Sequence, residues 1–202
     1  MDPEGGRLMP EGTWGWIALD RAALDLANTV AVDKGVAHDL LAPHGEYQRW
    51  AQAAARSPAL TPDEAAAIAA ARPQVLGLRE HVRAILHATA AGEPLPGAAV
   101  AALNAASRKA AQWPELDHDR SVQQHARGDA VQRLLARYAR SAMELAAGGS
   151  ARLRACGAPS CGMFYRPRRR QQRWCSASCG NRARVARHYR ARHEPGPPPG
   201  RR

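Results

Sequence analysis

The chain's only four cysteines, Cys156, Cys161, Cys175 and Cys179, fall inside residues 156–179 with the spacing C-x4-C-x13-C-x3-C. Two close pairs joined by a dozen or so residues are what one tetrahedral Zn²⁺ needs. Each pair delivers two thiolates from a tight turn, and the intervening segment folds the pairs together. A disulfide reading competes, since four is an even number. No basic n-region followed by an apolar h-region directs the chain to an oxidising compartment, so reduced thiols in the cytoplasm are expected. A four-thiolate shell leaves no open coordination position, so the expected zinc is structural and single.

Charge divides the chain at the same place. The total is +11, yet residues 151–202 hold fourteen arginines and one acid, Glu194. That segment carries +13 and leaves −2 for the first 150 residues. A near-neutral globular body joined to a polyanion-binding element is the implied organisation. Lysine is represented only by Lys34 and Lys109, against twenty-seven arginines. That bias reads as base composition; the clustering does not. No apolar run approaches the ~20 residues of a membrane span.

The first 150 residues read as helical. The apolar pattern from Trp16 to Val32 fits a helix better than a strand, and Ala42–Gly45 reads as a break before a short helix over Glu46–Arg56. Thr61-Pro62-Asp63-Glu64 combines an N-cap, Pro at the first helical position and the Glu of a capping box. The helix it opens should run towards Ala91, split near Arg72 by Pro73. A further helix is expected over Pro96–Ala111, a small β-hairpin within 112–126, and a last helix over Gly128–Ala147 ending at Gly148-Gly149-Ser150, read as a hinge. The terminal stretches 1–13 and 194–202 are expected to be frayed and disordered.

In the basic segment, Cys156–Cys161 reads as a knuckle. Met163–Tyr165 and Arg173-Trp174 read as the two strands of a short hairpin, with Phe164 and Trp174 packed over the metal site. Cys175 then opens a helix to about His193, with the last two ligands in its first turn. Knuckle, hairpin and helix together describe a treble-clef-like finger that depends on metal to fold. Its arginines fall in two groups, Arg166, Arg168, Arg169, Arg170 and Arg173 on the hairpin and Arg182, Arg184, Arg187, Arg190 and Arg192 on the helix, and eight of them, all but Arg166 and Arg192, are singled out. On that helix Val185 and Ala186 are read as facing away from Arg187, Tyr189 and Arg190. These eight arginines are the candidate nucleic-acid contacts; a solvated cationic surface, or one docking an acidic protein, is the alternative.

Arg173-Trp174-Cys175-Ser176 and Cys179-Gly180-Asn181-Arg182, with the upstream Cys156, Cys161-Gly162 and Phe164, resemble the CGNR-type zinc finger. Bacterial proteins commonly join that finger to an N-terminal helical domain called ABATE and are regarded as stress-induced transcriptional regulators. The body resembles this domain too, through Leu24-Asp25-Leu26-Ala27-Asn28-Thr29 and Leu78-Arg79-Glu80. The finger departs from the common pattern in having Arg166-Pro167-Arg168 where an acid often follows the Phe-x pair, and in a narrower second cysteine pair.

The expected fold is mainly α: a helical ABATE-like domain over 1–150, a CGNR-type zinc finger over 151–193 and a tail over 194–202. Asp25 and Asn28, one turn apart, are either contacts for a small effector or buried hydrogen-bonding groups. Arg79 and Glu80 read as an internal ion pair or a surface charge rather than a catalytic pair. No G-x-S-x-G, phosphate-binding glycine loop or HExxH is present, so binding rather than catalysis is expected. The function expected is a zinc-dependent DNA-binding transcriptional regulator, with the body as a sensor or homodimerisation domain. An RNA-binding or protein-interaction module and a thiol redox switch remain as alternatives.

Overall fold

The computed structural model describes residues 22–33, 36–54, 60–148 and 153–193. The two terminal stretches, the whole 149–152 connection and the start of the Trp16–Val32 segment lie outside the described residues.

The first helix is short. α1 spans Ala22–Ala27, and its six residues are all buried. The chain then turns through Asn28 and Thr29 into strand β1, Val30–Asp33, which pairs antiparallel with β2, Val36–Asp39. The continuous helix expected to Val32 therefore stops at Ala27. The Val-Ala-Val run is satisfied across strands instead, where β-branched side chains are favoured.

α2 (His44–Ala54) and α3 (Pro62–Ala70) follow. α3 starts on the expected capping box: Glu64 N–H donates to Thr61 Oγ1, and Thr61 N–H donates back to the Glu64 carboxylate. It ends at Ala71, and α4 runs from Arg72 to Ala91 with Pro73 in its first turn. Proline has no N–H to continue the preceding ladder, so the split falls where Pro73 demands it. Gly92, at φ 74°, closes α4 in the left-handed conformation.

α5 (Gly97–Arg108) precedes the hairpin β3 (Gln112–Leu116) and β4 (Val122–Ala126), which forms where expected and leaves both its faces largely exposed. α6 (Ala130–Ala147) opens on a second reciprocal cap between Asp129 and Gln132 and packs against α1, α3, α4 and α5. The core between these helices centres on aromatic stacking. Trp50 lies 5.5 Å from Tyr47 and 6.0 Å from Tyr138 between ring centroids, and the Tyr47 hydroxyl donates to Ile68 O.

Buried polar groups tie the β1–β2 hairpin to this bundle. The Arg79 guanidinium, 4% exposed, holds both Asp39 carboxylate oxygens at 2.6 Å and donates to Thr29 Oγ1. Glu80 supplies a weaker contact at 3.2 Å. The ion pair expected between neighbours in sequence is thus secondary to one formed across the fold. Burial pushes the Asp39 carboxyl up, but Arg79 and the Leu41 amide outweigh it and hold it below the ordinary carboxylate range.

The finger follows. β5 (Arg154–Ala155) pairs antiparallel with β6 (Phe164–Tyr165), and α7 spans Ala177–His193. The strand expected at Arg173-Trp174 is absent. The segment before the knuckle takes the place beside Phe164 and Tyr165, while Arg173 is joined to the knuckle by one backbone bond from Gly157 N–H.

Candidate metal centre and basic surface

Local backbone bonding sets the cysteine geometry. Cys156 N–H donates to Met163 O, folding the knuckle over, and Ser160 turns it at φ 56°. Ser176 caps α7: its hydroxyl accepts from Cys179 N–H at 3.2 Å, and its carbonyl accepts from Gly180 N–H. Cys179 thereby sits in the first turn of α7. Cys175 lies two residues before the helix rather than within it, with its own N–H donating to Cys156 Sγ at 3.3 Å.

The four sulfurs all lie within 4.8 Å of one another. Cys161 to Cys175 is 3.9 Å, Cys175 to Cys179 3.5 Å and Cys179 to Cys161 3.7 Å. Zinc–thiolate bonds of about 2.3 Å in a tetrahedron place sulfurs about 3.8 Å apart, so these edges fit one Zn²⁺. The thiols alone are in electrostatic conflict. Hydrogen bonds from Cys161 and Cys175 pull the Cys156 thiol far down, while bonds to Cys156 push Cys161 and Cys175 up. A divalent cation lets all of them ionise together.

Each residue of Cys179-Gly180-Asn181-Arg182 has a visible task. Cys179 is a ligand. Gly180 is buried where an added methyl would touch the Trp174 ring at 3.4 Å. Asn181 Oδ1 accepts from Arg184 Nη1 at 2.7 Å. Arg182 Nη2 donates to Cys179 Sγ at 3.2 Å, and this bond raises the Arg182 pKa. Arg182, read from sequence as a phosphate contact, is therefore directed to the negative shell of the metal site.

Trp174 packs against the finger's small core of Cys156, Ala158, Tyr165, Cys179 and Ala183, as expected. Phe164 does not. Successive strand residues point to opposite faces, so Tyr165 enters the finger and Phe164 enters the helical body. There the Phe164 ring meets His87 edge-on at 4.7 Å, with the Arg83 guanidinium 5.8 Å from its centre. Asn28 completes the joint: its amide donates to Phe164 O at 2.9 Å and accepts from Phe164 N–H at 2.8 Å. A side-chain amide thus pairs with the finger's backbone as a neighbouring strand would. At Gly162 an added Cβ would come within 2.6 Å of Val32 Cγ2, so the contact leaves no room for a side chain.

Of the two readings of Asn28, the buried hydrogen-bonding one describes its place. Asp25 is 7% exposed within α1 and, after burial itself, is among the influences raising the Tyr138 pKa. The sequence carried no sign that Asn28 and Phe164, 136 positions apart, would meet.

The candidate nucleic-acid arginines are all exposed, but on two sides. Arg173, Arg187 and Arg190 line a groove between the finger and α4. The others, Arg168, Arg169, Arg170, Arg182 and Arg184, are not part of its lining. Along α7, Tyr189 and Arg190 share a patch with Val185, Ala186 and Arg182, against the expected separation, while Arg187 lies outside it; Arg190 borders both this patch and the groove. Val185 and Tyr189 are 69% and 63% exposed, and residues four apart fall on one helix face.

No helix among the described residues is long and apolar enough to cross a membrane. No curated protein matches the chain. Residues 152–193 match the CGNR zinc finger, and its four clustered cysteines could bind one structural zinc ion. Residues 20–149, more than half of the chain, match the family described as ABATE, putative stress-induced transcription regulator. The chain therefore belongs to the ABATE family and carries a CGNR zinc finger behind its helical domain.

Proposed function

We infer that this protein is a zinc-dependent transcription regulator whose finger binds duplex DNA, acting by binding rather than catalysis, in the cytoplasm. One observation carries the reading: residues 153–193 hold eleven arginines and no acid, arranged on a scaffold that the metal organises. No carboxylate within the finger offsets this charge, and arginine's planar fork suits phosphate oxygens. Arg168, Arg169, Arg170 and Arg184 supply the outward contacts, with the Val185–Tyr189 pair as an apolar surface beside them. The helical body serves as the sensing or dimerising part.

The test is a salt titration of zinc-loaded, full-length protein on duplex DNA, with structured RNA alongside. These four phosphate contacts give a slope of log K against log salt of about −3 to −4. Replacing Arg168, Arg169 and Arg184 with alanine should flatten the slope and weaken binding to all duplexes. Unchanged affinity with zinc still bound overturns the DNA reading, and tighter binding to RNA than to any duplex reassigns the finger to RNA.

A further inference from the structure

Between the finger and α4 of the body lies an open groove of about 780 Å³ that the DNA reading does not use. Its cations come from separate places in the chain: Arg154 from β5, Arg173 from the loop before Cys175, and Arg187 and Arg190 from α7. No aspartate or glutamate is among its lining residues. Arg154 is held rigidly, its guanidinium donating to Gln172 O and Arg170 O at 2.7 Å each. Among the described residues Arg173 and Arg187 enter no ion pair, so their charge is available to a ligand. The wall opposite belongs to the body, where His87, Ala90 and Ala91 of α4 line the space.

Size and chemistry together narrow the occupant. Small-ligand sites commonly span about 300–1,000 Å³ and lie at domain junctions. The volume suits a single phosphorylated small molecule. The volume is several times that of inorganic phosphate, and flat groups, the Trp174 indole and the His87 imidazole, border it. Converging arginines recognise phosphate oxygens, and an aromatic edge beside them suits a planar heterocycle. We propose that this groove binds a free nucleotide polyphosphate, with Arg173, Arg187 and Arg190 on its phosphates. The ligand would touch the sensing body and the finger together, in a groove whose lining includes none of Arg168, Arg169, Arg170 and Arg184.

The experiment is calorimetric titration of the full-length zinc-loaded protein with ATP, and with sulfate as a plain dianion. Saturable ATP binding, not matched by sulfate at equal concentration, is expected. Replacing Arg173 and Arg187 with alanine removes charged contacts and should weaken ATP at least about tenfold. Ala91→Glu places an acid on the exposed body wall and should also weaken ATP about tenfold, while zinc content and duplex affinity stay as they were. Replacing Arg168, Arg169 and Arg170 with alanine, outside the groove, should leave ATP affinity unchanged. The proposal is overturned if ATP does not saturate, if sulfate matches it, or if its affinity ignores the groove variants. It is equally overturned if ATP affinity falls with the outward triple variant. Duplex binding is scored separately, so loss of the DNA reading leaves this outcome intact.

Discussion

The helical body and the finger reach order by opposite means within one chain. The body buries a continuous core in which Trp50, Tyr47 and Tyr138 stack and the faces of α4 and α6 interlock. Its apolar burial outweighs the entropy of ordering, as in any domain of this size. The finger's own core has five buried residues, two of them metal ligands. So little apolar surface does not hold a chain segment with eleven arginines and no acid. Metal must supply the difference. The body also lends part of its own core, through Phe164, to the segment that cannot make one.

The largest effect should come from breaking the metal side of this comparison. Structural zinc in fingers is worth about 10–16 kcal/mol at neutral pH. Cys175→Ser should abolish tight zinc binding and expose the amides of residues 153–193 to fast exchange, while the body stays helical, its stability lowered only by the loss of Phe164 from its core. Purified wild-type protein should carry about one zinc per chain. Full zinc occupancy in a variant lacking both Cys175 and Cys179 would sink the assignment, and loss of the body along with the finger would erase the contrast.

Phe164 tests where the two regions meet. It sits in the finger's sequence but in the body's core, 2% exposed. Phe164→Ala should cost about 3–5 kcal/mol, the usual range for a buried phenylalanine, and the loss should appear in the body's thermal or denaturant unfolding. Zinc content should be retained, because no ligand contacts change. A body of unaltered stability would show that the ring is not part of its core.

This division also explains what could be read from sequence. The metal site was legible because the cysteine spacing and the knuckle are local, whereas the Ser176 cap emerged only with the structure. α3, α4 and α6 were legible from caps, Pro73 and the recurrence of apolar residues. The β1–β2 hairpin was not, because Val30–Val32 satisfies a helical apolar pattern equally well, and its strand state depends on pairing and on the Arg79–Asp39 bond. Phe164 was misplaced for a related reason. Its neighbours in sequence point to the metal, while the body surface that claims it lies many residues upstream. The Arg182 bond to Cys179 was within local reach, three residues along a helix, but the eye is drawn to phosphate whenever arginines cluster.

Asn28 should give a smaller effect than Phe164, since it contributes hydrogen bonds rather than volume. Asn28→Ala leaves both Phe164 N–H and Phe164 O buried without these partners. The expected loss is about 1–3 kcal/mol, confined to docking of the finger. Hydrogen exchange at the Phe164 amide should accelerate while zinc stays bound. Asn28→Asp should restore acceptance from Phe164 N–H but place a carboxylate against Phe164 O, so it should not rescue. Wild-type protection in Asn28→Ala would show that the strand pairing of β5 and β6 suffices without the amide.

The smallest effect concerns pH, at the same joint. His87 packs its ring against Phe164, and burial followed by the Arg83 charge lowers its pKa from the ordinary 6.5. Arg154, Arg173, Arg187 and Arg190 also face the groove that His87 borders, and no acid lies among that lining. The sign follows from linkage: the unfolded chain binds the His87 proton more readily than the folded one. The contribution is therefore fully present above pH 6.5 and drains as pH falls through the lower folded value. Because the side chain is largely exposed, solvent screening keeps the change small, less than about 2 °C in Tm between pH 7.5 and 5.5. His87→Gln should flatten this part of the profile while leaving zinc bound at pH 7.5. A wild-type joint that grows more stable on acidification would mean that the imidazolium finds a partner there, and the joint would then be held by charge as well as by the Phe164 ring.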